Sequence, residues 1–85
     1  MSNWAVYIVQ CSDDSLYTGI TTDVTRRVDE HNQDNNKGAR YTRSRRPVTL
    51  VYSEACDNRA LASQREYAIK QLNRNQKLAL FTKAC

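Results

Sequence analysis

The side chains that could do chemistry in this 85-residue chain are phenols, guanidinium groups, carboxylates and a single imidazole. Serine and cysteine nucleophile schemes lack their parts, because there is one histidine and no G-x-S-x-G turn. Two glycines, Gly19 and Gly38, are too few for a glycine-rich nucleotide loop. The candidates are therefore tyrosine, arginine, histidine and glutamate.

Tyr7 and Tyr17 lie ten residues apart, on two predicted strands. The parity of the turn between those strands decides whether the two phenols share a face. A loop of two or four residues sends them to opposite faces. A three-residue loop puts Val9 opposite Tyr17, with Tyr7 its diagonal neighbour at about 7–8 Å on the same face. Simple packing is the other interpretation, because tyrosine is a favoured strand residue.

Arg27 and His31 are four residues apart, so they are neighbours on a predicted helix, beside a stripe formed by Val24 and Val28. An arginine next to a buried stripe needs an anionic partner, and a bound phosphate would be one. The commoner outcome is a side chain that extends to water. A lone histidine is likewise more often structural than catalytic.

Glu66 borders the core-facing stripe of a second long helix. Lys70, four residues later, offers it a surface ion pair worth only about 0.2–0.5 kcal/mol. One carboxylate near a basic groove also suits magnesium, because that ion keeps several waters and takes one or two carboxylates. Both interpretations remain open on spacing alone.

The formal charge of +4 is unevenly distributed along the chain. Residues 1–25 carry three aspartates and no lysine or arginine, whereas residues 26–46 hold seven of the 13 basic residues. A local positive patch attracts a phosphate backbone, although a solvated arginine-rich loop has the same composition.

The elements that must position these groups begin with a predicted hairpin. Trp4–Cys11 is rich in β-branched and aromatic residues and predicts a strand buried on both faces, and Leu16–Ile20 predicts its partner. A helix is predicted over residues 24–33, capped by Thr22 or Asp23.

The second half of the chain predicts a strand and two helices. Gly38–Pro47 is too basic and interrupted to predict regular structure, and Val48–Ser53 predicts the third strand. Asp57 is the expected cap of a long helix that is interrupted over residues 73–75 and followed by a short helix. The expected buried stripe of the long helix is Leu61, Ala68, Ile69 and Leu72, and the short helix carries Leu78 and Phe81.

The resulting order is strand, strand, helix, basic segment, strand, helix, helix, which predicts a single α/β (α+β) domain over residues 1–85. No apolar run approaches the roughly 20 residues that cross a bilayer, and the N-terminus lacks signal-peptide features. The expected location is the cytoplasm. The three cysteines are widely spaced and are expected to be free thiols: Cys11, Cys56 and Cys85.

Four strings along the chain resemble the GIY-YIG nuclease superfamily in order and spacing: AVY, YTG, TTDVTRRVDEHN and QREYAIKQL. The resemblance covers nearly the whole chain. The chain is similar to small stand-alone bacterial members of the superfamily, and to the catalytic domains of junction-resolving endonucleases and of the excinuclease C subunit. The family fold is a three-stranded antiparallel sheet flanked by helices, in agreement with the element order.

The resemblance implies specific roles for five side chains. Tyr7 and Tyr17 line the site, and one of them helps to deprotonate the attacking water. Arg27 contacts the scissile phosphate, and His31 assists in positioning or proton transfer. Glu66 binds one divalent ion, Mg²⁺ or Mn²⁺.

The chain departs from the family pattern at a few positions. Ala5 replaces the glycine of the first motif, and Thr18 replaces the isoleucine of the second. Ile20 stands where some members have lysine, and the late asparagine of some members has no match. The segment Gly38–Thr42 also resembles a family segment beside the site. Together with the basic residues it gives the expected nucleic-acid contacts, which are Lys37, Arg40, Tyr41, Thr42, Arg43, Arg45 and Arg46.

The implied activity is a metal-dependent endonuclease that cleaves DNA, selects its substrate by structure or through a protein partner, and serves repair or recombination. Two alternatives stay open. One is a nucleic-acid binding module of the same fold with little or no catalysis. The other is an RNA-directed nuclease, because no residue visibly reads a missing 2′-hydroxyl.

Overall fold

The computed structural model describes residues 3–81. The strands are β1 (Ala5–Gln10), β2 (Leu16–Thr21) and β3 (Thr49–Ala55), and the helices are α1 (Val24–Gln33), α2 (Arg40–Arg43), α3 (Arg59–Lys70) and α4 (Arg74–Phe81). The strands form one antiparallel sheet in the order β2-β1-β3. This sheet and the sequence of elements confirm the predicted fold class.

The central strand β1 is buried on both faces, as its composition predicts. Tyr7 and Val9 point to one face, where they pack with Val48 and the inner side of α1. Val6 and Ile8 point to the other face, where they pack against α3 and α4. Alternation along a single strand therefore divides the interior into two clusters.

The hairpin turn settles the parity of the two tyrosines. The Cys11 N–H donates to the Ser15 carbonyl at 2.8 Å, and the Asp14 N–H donates to the Cys11 carbonyl at 2.9 Å. Three residues remain as the loop, and the last of them, Asp14, has a left-handed φ of 68°. Val9 consequently pairs with Tyr17, and Tyr7 pairs with Gly19. Both phenols lie on the same face.

Helix α1 has the predicted bounds and orients the chain that follows it. The Asp23 carboxylate caps it by accepting the N–H of Arg26 at 3.0 Å. Near its end, the Asn32 side chain pairs with the backbone of Val48 in both directions, at 3.0 and 2.7 Å. Helix α1 is thereby tied to the residue that precedes β3.

The second half of the chain corrects several sequence predictions. Asn58, and not Asp57, caps α3 by accepting the N–H of Leu61 at 2.9 Å. Leu61 is 43% exposed and Ala68 is also exposed, so both are wrong as core positions. The buried residues of α3 are Ala62 and Ile69, two helical turns apart.

Other boundaries differ by a few residues. β3 begins one residue later and ends two residues later than predicted, and the expected irregular segment contains the single turn α2. The interruption between the last two helices is present at residues 71–73. Leu72, Leu78 and Phe81 are half-buried.

Among residues 3–81, no helix has both the length and the apolar character needed to cross a bilayer. Cys11 and Cys56 are free thiols, as expected. The prediction for Cys85 lies outside the described residues.

Candidate active site

Tyr7 lies at the centre of the sheet face that packs against α1, which we call the site face. Its ring is fully buried, and its hydroxyl lies 2.7 Å from His31 Nε2. A Cβ atom at Gly19 would lie only 2.6 Å from that hydroxyl, so the glycine of the YTG string is required for the ring to occupy this place.

The environment of Tyr7 keeps its phenol protonated. Burial raises the pKa of Tyr7 to about 12, and the charge of Arg27 opposes that rise. Tyr17 and the Glu66 carboxylate add smaller contributions in the upward direction. Three of the other expected site residues therefore act on this one hydroxyl.

His31 is fully buried, and both of its ring nitrogens have hydrogen-bond partners. Its Nε2 lies 2.7 Å from the Tyr7 hydroxyl oxygen, and its Nδ1 lies 2.9 Å from the Thr42 hydroxyl oxygen. The Thr42 hydroxyl donates to the Ala39 carbonyl at 3.0 Å, which favours a proton on Nδ1, whereas the Ala39 N–H donates to Nδ1 at 3.4 Å, which favours a proton on Nε2. These contacts hold the ring in place and are compatible with either neutral tautomer.

Burial and, to a smaller extent, the positive charges of Arg27 and Arg46 lower the pKa of His31 to about 4, against the opposing effect of Glu30. The imidazole is therefore neutral at neutral pH. The Tyr7 and His31 pair therefore places a protonated phenol 2.7 Å from a neutral imidazole.

Tyr17 forms a second wall of the site. Its ring meets the His31 ring edge-on, with centroids 5.3 Å apart and an interplanar angle of 69°. It also stacks on Tyr41, with centroids 5.8 Å apart and an angle of 24°. Tyr17 is half-buried, so it is the more exposed of the two phenols.

Arg27 is held at the edge of the site by two bonds from one nitrogen. Its Nη1 donates to Glu30 Oε1 at 3.0 Å and to the Lys37 carbonyl at 2.6 Å. A guanidinium has five N–H donors, so further donors can bind a phosphate oxygen. Sequence analysis missed Glu30 in this role, although its i, i+3 spacing from Arg27 was a usable signal.

Glu66 lies on α3, whose buried residue Ile69 packs on the other face of β1. The Glu66 side chain is 25% exposed, and it forms the expected ion pair with Lys70 at 3.4 Å. Its charge also raises the pKa of Tyr7, which connects it to the phenols. The described residues hold no group of three or more His, Cys, Asp or Glu side chains that could bind a metal. A single carboxylate fits a largely hydrated ion such as Mg²⁺ and not a zinc cage.

Two of the expected nucleic-acid contacts are engaged inside the chain. Thr42 is fully buried, and its hydroxyl contacts His31 Nδ1 and donates to the Ala39 carbonyl, so it supports His31. The Arg46 guanidinium is engaged inside the chain through three nitrogens. Nε donates to the His31 carbonyl at 2.6 Å, Nη2 donates to the Asp34 carbonyl at 3.1 Å, and Nη1 donates to Asn35 Oδ1 at 2.9 Å.

The remaining basic residues divide into two kinds. Arg45 is paired with Asp13 at 3.1 Å and lies over the Tyr41 ring. Lys37, Arg40 and Arg43 are exposed, and in the described part of the chain none of them forms a salt bridge. The free positive surface is consequently smaller than the composition suggests.

Comparison with known proteins gives consistent matches. A family model described as the GIY-YIG catalytic domain matches residues 3–79. A UPF0213 protein of Desulfotalea psychrophila is 65% identical over 77 residues, covering 91% of this chain and 69% of the relative. A UPF0213 protein of Halobacterium salinarum is 58% identical over 76 residues, covering 89% of this chain and 96% of the relative.

Two solution NMR structures are also similar. The structure of a protein from E. faecalis is 41% identical, with a TM-score of 0.59 and coverage of 91% of this chain and 83% of the other. The structure of a UPF0213 protein from Bacillus halodurans is 45% identical, with a TM-score of 0.57 and coverage of 91% and 80%.

Proposed function

The chain belongs to the GIY-YIG catalytic domain family, a family of nucleases, and we propose that it is a metal-dependent endonuclease that hydrolyses phosphodiester bonds in DNA. The observation that carries the proposal is the hydrogen bond between the buried Tyr7 hydroxyl and the neutral His31 imidazole. Buried polar pairs of this kind, with opposed pKa shifts, are typical of acid–base sites.

The Tyr7 and His31 pair accepts the proton of the attacking water. As a base, Tyr7 must first lose its own proton, and His31 Nε2, 2.7 Å from the hydroxyl oxygen, can accept it when the imidazole carries its proton on Nδ1. The pKa values of about 12 and about 4 oppose that transfer in the free protein. The charge of Arg27 lowers the pKa of both groups, so it favours the phenolate of Tyr7 and disfavours the imidazolium of His31. Tyr17, the more exposed phenol, contacts the substrate side of the pair.

Arg27 binds the scissile phosphate through its remaining N–H donors. Glu30 and the Lys37 carbonyl fix the guanidinium before substrate arrives, so little reorganisation is needed on binding. A fixed cation at this place stabilises negative charge that grows on the phosphoryl oxygens in the transition state.

Glu66 is the residue that would hold a divalent ion, Mg²⁺ or Mn²⁺. Such an ion supplies Lewis-acid stabilisation of a phosphoryl oxygen and of the leaving group. The role of the protein there is to present one partly desolvated carboxylate on a rigid helix, next to the phenols. Lys70 neutralises the carboxylate from the solvent side in the free protein.

Lys37, Arg40 and Arg43 follow the DNA backbone. Among residues 3–81 we identify no element that would read base edges, so we infer that DNA shape or a protein partner selects the substrate. Roles in repair or recombination, and action in the cytoplasm, complete the proposal.

A panel of labelled substrates tests the proposal. The purified chain is incubated with duplex, flap, junction and single-stranded DNA and with the matching RNAs, in Mg²⁺, Mn²⁺ or EDTA. We expect cleavage of branched DNA with either ion and none in EDTA. Tyr7→Phe should be inactive, and Tyr67→Phe, at a position 68% exposed, should cleave normally.

The alternatives give different results in the same panel. Tight DNA binding without cleavage under any metal condition would assign a binding module. Preferential cleavage of RNA would assign an RNA-directed nuclease, and either result would overturn the DNA endonuclease proposal.

A further inference from the structure

We propose that Asp13, Tyr41 and Arg45 form a clamp that fixes the ring of Tyr17, and that Arg45 is a positioning residue of the site, not a phosphate contact. This inference rests on the proposed nuclease function only where cleavage rates are concerned. The clamp itself is a statement about how one aromatic ring is held.

The clamp begins at the hairpin turn. Arg45 Nε donates to Asp13 Oδ2 at 3.1 Å, and the Ser12 N–H donates to the Arg45 carbonyl at 2.9 Å. The turn is thus tied to the Arg45 residue through both side chain and backbone, although 32 residues separate Asp13 and Arg45 along the chain. Two independent bonds between the same pair of loops limit how far either loop can move.

Ser15 orients the Asp13 carboxylate toward Arg45. Asp13 Oδ1 accepts the Ser15 N–H at 3.1 Å and the Ser15 hydroxyl at 2.6 Å, which leaves Oδ2 for Arg45. The carboxylate orientation is therefore fixed by the turn and does not depend on the arginine. The guanidinium binds to a preset acceptor.

Arg45 in turn holds Tyr41. Its guanidinium carbon lies 4.0 Å from the Tyr41 ring centroid, and its Nη1 donates to the Tyr41 carbonyl at 2.9 Å. Tyr41 belongs to α2, a single turn without a side-chain cap, and is itself partly exposed. A short uncapped turn does not fix an aromatic ring by itself, so the arginine supplies the missing constraint.

Tyr41 completes the clamp by stacking on Tyr17, whose ring in turn meets His31 edge-on. Tyr17 lies on β2, an edge strand of the sheet, where only β1 pairs with its backbone. The stack is consequently the contact that holds the outer side of this ring against the catalytic histidine.

Arg45 uses Nε for Asp13 and Nη1 for the Tyr41 carbonyl, and its guanidinium covers the Tyr41 ring, so contacts within the chain set its orientation. Arg43, two residues earlier, has no such engagement, because it is exposed and forms no salt bridge within residues 3–81. The two arginines therefore make a matched pair with opposite expected behaviour. Substitution of Arg43 should change the dissociation constant of DNA, whereas substitution of Arg45 should change the position of the Tyr17 ring and the cleavage rate of the bound DNA.

The experiment compares Arg45→Met with Arg43→Met in the full chain. Methionine keeps a long side chain and removes the charge. A labelled branched DNA gives the dissociation constant at several salt concentrations and the single-turnover cleavage rate at saturating DNA. The ¹³C-labelled tyrosine ring signals, with Tyr17 assigned from Tyr17→Phe, report on the ring directly.

For Arg45→Met we expect a roughly tenfold or greater fall in single-turnover rate, because the ring loses its set position. The dissociation constant should change less than about twofold, and the Tyr17 signals should shift or broaden. Arg43→Met should weaken binding and reduce the salt slope by about one, with unchanged Tyr17 signals. Arg45→Lys should restore part of the rate.

Unchanged Tyr17 signals in Arg45→Met would overturn the clamp. Weaker binding with an unchanged saturated rate would also overturn it, and would return Arg45 to the phosphate contacts. If Tyr41→Leu weakened binding to single strands while leaving the Tyr17 signals unchanged, Tyr41 would be a base-stacking surface and the clamp would be wrong. The tyrosine spectra decide the clamp even for a chain that cleaves nothing, so this test is separate from that of the nuclease proposal.

Discussion

The two faces of the central strand are both buried, yet different interactions hold them. On the face beneath α1, Tyr7 bonds to His31 and His31 bonds to Thr42, so the buried polar groups are paired. On the face beneath α3, Ile8 and Ile69 form an apolar cluster. The same strand thus supplies a polar site from its odd positions and a hydrophobic core from its even positions.

The site face orients reactive groups, whereas the apolar face stabilises the fold. A paired polar network fixes orientation but contributes little net stability, because its bonds replace bonds to water. Apolar burial stabilises the fold without chemistry. Substitutions on the site face should therefore change rate more than stability, and substitutions on the apolar face should do the reverse.

The largest effect is expected for Arg27→Ala on the site face. Loss of the phosphate-binding guanidinium should lower the cleavage rate by roughly 10²–10³-fold. Arg26→Ala is the matched control, because Arg26 also pairs with Glu30 but is 56% exposed against 23% for Arg27. Single-turnover rates measure both variants. Equal cleavage rates in the two variants would contradict the proposed role of Arg27 in phosphate binding.

Ile69→Ala should have the next largest effect, on stability. Removing a fully buried side chain from the apolar face should lower the free energy of unfolding by about 2–5 kcal/mol. The folded fraction should still cleave at the normal rate. Leu61→Ala, on the exposed side of the same helix, should cost far less. Urea unfolding measures both, and equal losses would contradict the assignment of the buried side of α3.

Acid should weaken the fold through His31. Its pKa is about 4 in the folded protein and 6.5 as the ordinary value, so the unfolded chain binds more protons between those pH values. Stability is then complete above pH 6.5 and falls as pH decreases toward 4, by about 2 kcal/mol between pH 7 and pH 5. Urea unfolding at the two pH values measures the loss. A His31→Gln variant should lose this part of the pH dependence, and an equally steep dependence in that variant would assign it to other groups.

The smallest effect is expected for Thr18→Val. Among the buried side-chain nitrogen and oxygen atoms of residues 3–81, the Thr18 hydroxyl oxygen has no hydrogen-bond partner. Replacing the hydroxyl by a methyl group of the same shape should raise the free energy of unfolding by about 1 kcal/mol, with no change in cleavage. Thermal unfolding measures the gain. A destabilised valine variant would mean that the hydroxyl has a partner.

The hairpin, α1 and the sheet were predictable because each depends on local patterns. Alternation and turn residues predicted the strands, and a capping residue followed by an apolar stripe predicted α1. Whether Tyr7 and Tyr17 share a face depended on one unknown, which was whether the loop has an odd or an even number of residues. The left-handed conformation of Asp14 settles it, and aspartate adopts that conformation without being required to.

Tertiary packing decided the features that the sequence did not show. Leu61 is more apolar than Ala62, yet the rotation of α3 on the sheet buries the alanine. Arg46 and Arg43 are chemically the same, yet only Arg46 is enclosed by the carbonyl groups at the end of α1. Composition therefore overstated the free positive surface, because it could not separate arginines engaged inside the chain from exposed ones.

The most direct test of the catalytic assignment is the cleavage rate of Glu66→Gln at saturating branched DNA, across a range of Mg²⁺ concentrations. Glu54→Gln is the control, because Glu54 is a carboxylate engaged with Arg65 at 3.2 Å. We predict that Glu66→Gln binds DNA normally and cleaves at least about 10²-fold more slowly at every Mg²⁺ concentration, while Glu54→Gln cleaves as the wild type does. A Glu66→Gln variant with the wild-type rate and the wild-type Mg²⁺ dependence would contradict the account.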